Sequence, residues 1–222
     1  MDERQIKLDE VQSLARIFQE FKNGFDFLKK YPKTVSIFGS ARFSQEDPHC
    51  KDAEQLAKRI VTELGYAVMT GGGPGIMLAA NKGAHDAGGL SLGVTIRLPK
   101  EQKTNTYVIE DFECTFFFTR RTLLNFAAEA YVAFPGGYGT LDELFERITL
   151  IQNKKIPRVP IILVGTDFWN PLVDYIKKVV YEQHDAITKE DLEIFTVTDN
   201  LDEVIDIIKK APVSRWWRHI EQ

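Results

Sequence analysis

Three short glycine-bearing turns, each placed between an apolar strand pattern and an amphipathic helix pattern, constrain this chain more than any other feature. The clearest is Pro135-Gly136-Gly137-Tyr138-Gly139-Thr140-Leu141-Asp142-Glu143. Residues 130–134 ahead of it are apolar and rich in strand formers, while Leu141, Leu144, Phe145, Ile148 and Ile151 behind it recur at helical spacing. The same succession appears at 35–38, Gly39-Ser40 and the helical set Ala53, Leu56, Ala57, Ile60, Val61 and Leu64. It appears again at 67–70, Gly71-Gly72-Gly73-Pro74-Gly75 and a helix from 76 to about 85, whose first turn suits Pro74. Further strands are expected at 92–96, 159–164 and 194–197, a polar loop over 97–107, and helices over 120–129, 140–152, 168–182 and 201–211. Strands alternating with helices predict an α/β fold with a doubly wound parallel sheet, in which ligands bind beyond the carboxyl ends of the strands. All three turns fall at such ends.

Glycines in this position let backbone N–H groups approach an anion closely, and a helix N-terminus favours negative charge. Gly39, Ser40, Gly71, Gly72, Gly73, Gly75, Gly136, Gly137, Gly139 and Thr140 are therefore candidate phosphate and sugar contacts. Neither GxxxxGK[ST] nor GxGxxG occurs at these turns, the first of which reads Gly-Ser-Ala-Arg-Phe. That pattern disfavours nucleoside triphosphate hydrolysis and ordinary NAD binding and leaves a mononucleotide. Thr140-x-x-Glu143 also fits a capping box, in which the two side chains satisfy helix-end amides and no chemistry is implied.

The 222 residues, 44% of them hydrophobic, suit one domain with a substantial core. A helical arm is expected over 1–32, since Ile6, Val11, Leu14, Ile17, Phe18, Phe21, Phe25 and Leu28 are spaced amphipathically before Tyr31-Pro32. A strand, helix and tail fill 183–222. The net charge of −4, with both signs interspersed, provides no basic stripe for nucleic acid, and the cluster at 215–219 is too short to change this. No stretch approaches the roughly 20 apolar residues of a membrane span, and a charged N-terminus without a signal-peptide core points to the cytoplasm. Cys50 and Cys114 form no CxxC pair, and His49, His85, His184 and His219 are scattered, so neither a disulfide framework nor a metal site is expected.

Taken together, Phe38-Gly-Ser-Ala-Arg42, Gly71-Gly-Gly-Pro-Gly-Ile-Met77, Leu98-Pro-x-Glu-Gln102, Phe117-Phe-Thr-Arg-Arg121 and the 135–143 turn resemble the Lonely Guy (LOG) family over residues 33–182. Members are cytokinin riboside 5'-monophosphate phosphoribohydrolases, formerly labelled possible lysine decarboxylases. The resemblance implies a Rossmann-like fold, with helices on both faces, that works as a dimer or higher oligomer. It also implies hydrolysis of a nucleoside 5'-monophosphate to free base and ribose 5-phosphate. That no cofactor is needed is expected from the lack of a lysine patterned for a Schiff base beside the phosphate turns. By motif match Arg120 and Glu143 correspond to the family's catalytic pair, and Arg121 stands where lysine is common. Glycosidic cleavage passes through an oxocarbenium-like state that a carboxylate stabilises while it orients or deprotonates water, which suits Glu143. Arginine is a poor proton donor, so Arg120 is assigned electrostatic support of the departing base.

Plainer readings stand beside these. Arg120 and Arg121 could be solvated charges near a helix start, although cations are poorly placed there. Phe112, Phe116, Phe117 and Phe118 could wall a base pocket, but aromatic clusters are more often core. Leu78 replaces a glutamate common after GGGPGIM in longer members, which bears on substrate choice more than on reaction type. Lysine decarboxylation would need pyridoxal phosphate on a Schiff-base lysine, and no lysine sits beside the phosphate turns in a recognised pattern. A noncatalytic nucleotide or phosphorylated-cofactor binder is the alternative to an enzyme. The arm and Trp216-Trp217 suggest homo-oligomerisation or burial on the same subunit.

Overall fold

A computed structural model of the protein describes residues 3–97 and 103–211. The segment Leu98-Pro-x-Glu-Gln102 and the pair Trp216-Trp217 lie outside the described residues. The elements in chain order are α1 (Glu3–Lys29), β1 (Thr34–Phe38), α2 (Pro48–Arg59), β2 (Ala67–Thr70), α3 (Ile76–Asp86), β3 (Ser91–Ile96) and β4 (Glu110–Cys114). They continue with α4 (Phe117–Phe126), β5 (Ala130–Ala133), α5 (Tyr138–Gln152), β6 (Ile161–Leu163), α6 (Thr166–Tyr175), β7 (Phe195–Val197) and α7 (Leu201–Lys210). All seven strands form one parallel sheet in the order β4-β3-β2-β1-β5-β6-β7.

The period-two alternation of each strand sends its side chains to two separate cores. Val35, Ile37, Val68, Val132 and Ile162 pack beneath α2, α3 and α7, through residues such as Leu56, Ile76 and Ile208. Phe38, Met69, Val94, Tyr131 and Leu163 pack beneath α1, α4, α5 and α6, through Leu28, Leu123, Leu144 and Trp169. This is the doubly wound, Rossmann-like arrangement expected from the alternating pattern. The chain moves outward from β1 through β2, β3 and β4, then returns to β5 on the other side of β1. The carboxyl ends of β1 and β5 therefore flank the topological switch point, where α/β sheets open a crevice for ligands. The Ser40 amide donates to the Pro135 carbonyl at 2.9 Å and stitches the two turns together there.

Several boundaries depart from the spacing-based expectation, the first two for reasons of tertiary context. Strand β4 was not expected, because Glu110-Asp111-Phe112-Glu113-Cys114 is largely charged; only one side of an edge strand needs a partner, and charges are tolerated on its exposed side. Helix α4 begins at Phe117 rather than 120, because Glu20 on α1 accepts from the Thr115 and Phe116 amides at 2.8 and 3.1 Å. Helix α6 ends at Tyr175 and the chain continues in π-helical turns over Ile176–Gln183.

The arm divides in two. Phe27 and Leu28 enter the core with Phe25 packed beside them, whereas Val11, Leu14 and Phe18 are exposed. No helix among the described residues is long and apolar enough to cross a membrane.

Candidate active site

Helix α5 starts at Tyr138 with Gly137 as its N-cap and no side-chain cap. Thr140 is thus the third helical residue, and the capping-box geometry is not formed. Among the described residues no hydroxyl or carboxylate accepts from the first-turn amides, the condition in which a helix N-terminus takes an anion. They open onto a cleft of about 680 Å³ at the switch point, lined by the 39–42 turn, Gly71, Met77, Phe117, Arg120, Leu124 and residues 137–143.

Eight of the singled-out residues line this cleft: Gly39, Ser40, Gly71, Arg120, Gly137, Gly139, Thr140 and Glu143. Gly72 and Gly73 line an adjoining space of about 230 Å³ that shares Ala41, Gly71, Met77, Phe117 and Arg120 with the first. Gly75, Gly136 and Arg121 belong to neither lining. Gly75 has a structural reason to be glycine: its φ is +66° and a Cβ would collide with the Ser40 carbonyl, the same carbonyl that accepts the Ile76 amide at 3.0 Å. Arg121 is engaged by Asp142 at 3.2 Å and Glu146 at 3.1 Å. Leu78 is also absent from both linings.

Arg120 is not a solvated charge. Its side chain is 16% exposed, Nε donates to the Val94 carbonyl at 3.0 Å, and Nη1 stands 4.0 Å from Glu143 Oε1. It passes so close to the second turn that a Cβ on Gly71 would strike Nη2. Burial lowers its guanidinium below the ordinary value, with Glu143 opposing. The Glu143 side chain is 9% exposed, one helical turn inside α5. Burial pushes its carboxyl up to about 7; Arg120 opposes that rise, Glu146 and Asp142 add to it, and Arg147 opposes it. A carboxylate poised near neutrality beside a fixed cation can hold or take a proton and can face a developing positive charge.

The glycine run after β2 is held from beneath by buried amides. Asn81 Nδ2 donates to Ser91 Oγ at 2.8 Å and to the Leu92 carbonyl at 3.2 Å, while its Oδ1 accepts from Thr70 Oγ1 and Asn105 Nδ2 at 2.6 and 2.9 Å. Thr70 Oγ1 in turn accepts the Gly72 amide, and Asn105 Nδ2 reaches the Gly73 carbonyl.

The aromatic group splits. Phe112 packs on Phe27 in the core, Phe116 stacks on Phe118, Phe118 meets Phe21, and Phe117 lines the cleft. Sequence reasoning missed Arg42, Met77, Tyr138 and Asp142 in the lining, and Thr95, Lys103 and Thr104 in the adjoining space. The first four sit beside motif glycines and were within reach of the sequence; the others come from β3 and the following loop, which only the fold brings near. Cys50 and Cys114 are buried thiols, and among the described residues no group of three or more His, Cys, Asp or Glu could hold a metal.

Residues 77–208 match the family model described as "Possible lysine decarboxylase". A cytokinin riboside 5'-monophosphate phosphoribohydrolase of Arabidopsis thaliana is 31% identical over 158 residues, covering 70% of this chain and 68% of its own length. A probable enzyme of the same description from Oryza sativa subsp. japonica is 30% identical over 187 residues, covering 81% and 77%. Among solved structures, the molybdenum cofactor carrier protein of Chlamydomonas reinhardtii superposes with a TM-score of 0.58 at 23% identity, over 80% of this chain and 96% of the carrier, a likeness of fold. With the family match spanning more than half the sequence and relatives of this identity beside it, the chain belongs to the Lonely Guy (LOG) family.

Proposed function

We propose that the protein hydrolyses the N-glycosidic bond of a nucleoside 5'-monophosphate, AMP or a cytokinin riboside monophosphate, releasing free base and ribose 5-phosphate. The observation that carries this reading is the pairing of buried Glu143 with Arg120 on the wall of a cleft whose other boundary is the uncapped start of α5. The 5'-phosphate lies against the first-turn amides of α5 and the Gly39-Ser40 turn. Glu143 faces the sugar, where its negative charge supports the oxocarbenium-like state and its oxygen orients the attacking water and accepts a proton from it. As the C–N bond breaks, the bonding pair leaves with the base, Arg120 stabilises that charge without giving up a proton, and the base takes its proton from solvent while Glu143 returns to solvent the one it accepted. No step calls on a cofactor.

The test is incubation of purified protein with AMP and with isopentenyladenosine monophosphate, resolving base and ribose 5-phosphate by chromatography, with Glu143→Ala and Arg120→Ala alongside. Release by wild type and not by the variants, undiminished by chelator and without added pyridoxal phosphate, supports the reading. Tight binding of either nucleotide without release, equal in wild type and Glu143→Ala, would replace it with a binding or carrier role.

A further inference from the structure

One buried charge has no part in the chemistry above. Arg147 lies on α5 four residues beyond Glu143 and is 3% exposed. Its guanidinium carbon stands 3.2 Å from the centroid of the Tyr131 ring, and Nη2 donates to the Leu124 carbonyl at 3.2 Å. Neither partner carries a formal charge, so neither neutralises it. Residues four apart on a helix share a face, with Cβ atoms about 6 Å apart. The ring is itself fixed, since Tyr131 Oη donates to the Asn125 carbonyl and accepts the Ala128 amide. A cation is thereby clamped in the protein interior one helical turn along α5 from Glu143 and outside the lining of the cleft.

We propose that Arg147 is a positioning residue for the reaction, a second, substrate-free cation that supports the negative form of Glu143 against its burial while Arg120 is committed to the departing base. The proposal rests on Glu143 being the catalytic carboxylate. Arg120 alone cannot serve both ends of the bond: as charge builds on the base, its attraction is shared, and Glu143 would lose support at the moment its negative charge is needed. Arg147 touches only protein, so its field on Glu143 is the same before and during bond cleavage, which is the preorganisation that electrostatic catalysis requires. The groups facing Glu143 are Arg120 from α4 and Asp142, Glu146 and Arg147 from α5; those facing Arg147 are Tyr131 from β5 and Glu143 and Glu146 from α5. Arg121 holds Asp142 and Glu146 in ion pairs, which weakens their opposition. Burial brings the Arg147 guanidinium down to about 10, so it remains charged throughout the working range.

The experiment is a carbon-13 titration of the Glu143 side-chain carboxyl, assigned against Glu143→Gln, in wild type, Arg147→Met, Arg147→Gln and Arg147→Lys. Loss of the cation should move the Glu143 midpoint upward by about one pH unit, as expected for unit charges one helical turn apart at an intermediate dielectric. Arg147→Lys should restore most of it. Where nucleotide is cleaved, kcat at pH 6 should fall roughly five- to tenfold in Arg147→Met, recover above pH 8.5, and leave KM unchanged. An unmoved Glu143 midpoint in a folded Met or Gln variant would overturn the proposal and reduce Arg147 to a packing role. A shifted midpoint in a protein that cleaves no nucleotide would show that the Arg147 charge reaches Glu143 while rejecting the enzymatic reading, and with it the positioning role.

Discussion

Arg120 Nη1 and Glu143 Oε1 stand 4.0 Å apart, brought from α4 and α5 to one wall of the switch-point cleft. The separation is wider than a hydrogen bond, so the pair attracts without locking together, and each group retains an open direction toward the cleft. Burial is the dominant influence on Glu143 and places its carboxyl at about 7. The active form is the carboxylate. The expectation is that kcat/KM rises with pH and is half-maximal near 7, falling about tenfold per unit on the acid side. A rate profile on AMP between pH 5 and 9 checks this, and a flat profile below 7 would contradict it.

The same shift has a consequence for stability. The folded value lies above the ordinary 4.5, so the folded state favours the protonated acid. That advantage is fully present below 4.5 and is lost as pH rises through about 7. Relative to Glu143→Gln, which does not titrate, the wild-type Tm should therefore decline across this window. Parallel Tm profiles for the two proteins would show that Glu143 is not perturbed.

Gly71 tests the placement of Arg120 without altering either charge. A Cβ at this position would run into Nη2 and come within 3.0 Å of Met77 Sδ, both flexible side-chain ends rather than backbone. Gly71→Ala should therefore displace the guanidinium by the order of 1 Å while costing little stability. Misplacement on this scale is worth up to about 100-fold in rate. We expect kcat/KM reduced by 10- to 100-fold with Tm within about 3 °C of wild type. Wild-type activity would mean that the Arg120 position is not critical.

Much of this site was written in local spacing, and the rest depended on distant neighbours. The turns after β1, β2 and β5 declared themselves because glycine runs between strand and helix periodicities are locally conspicuous, and they did carry Gly39, Gly71, Gly137 and Glu143 to one cleft. The role of Gly75 was less visible: its glycine answers a positive φ and the Ser40 carbonyl rather than an open pocket. Strand β4 escaped notice because an exposed edge strand needs no hydrophobic alternation, and the start of α4 was misjudged because Glu20, about a hundred residues earlier, supplies its cap. Thr140-x-x-Glu143 shows the converse case, a local motif whose ordinary capping geometry, the plainer of the two readings, the tertiary structure does not adopt.

The Thr70–Asn81–Asn105 network offers a fourth test. Asn81 is fully buried and uses both ends of its amide, so truncation removes one partner from each of Thr70, Asn105, the Ser91 hydroxyl and the Leu92 carbonyl. Unsatisfied buried polar groups cost about 1–3 kcal/mol each before relaxation. Asn81→Ala should lose about 2–4 kcal/mol in denaturant unfolding, and the loosened 71–75 turn should raise KM for the nucleotide. Asn81→Asp, which keeps the acceptor for Thr70 and Asn105, should raise KM less. Unchanged stability in the alanine variant would show that solvent replaces the network without penalty.

The exposed stripe of α1 leads to the assembly. Val11, Leu14 and Phe18 recur at i, i+3 and i+7 on one helix face and are 63%, 65% and 70% exposed, while the far end of the same helix is anchored by Phe27 and Leu28. Three large apolar side chains in a row on a helix whose other end is docked make a surface suited to burial against a second copy, and we propose that the protein is a homo-oligomer through this stripe. Each residue would remove on the order of 2 kcal/mol of unfavourable hydration when covered. Light scattering at micromolar concentration should give at least twice the 25.4 kDa chain mass. Phe18→Glu combined with Leu14→Glu should shift it to the monomer with the fold retained by circular dichroism. A wild-type monomer would remove the assembly, and an oligomer indifferent to both substitutions would place the interface elsewhere.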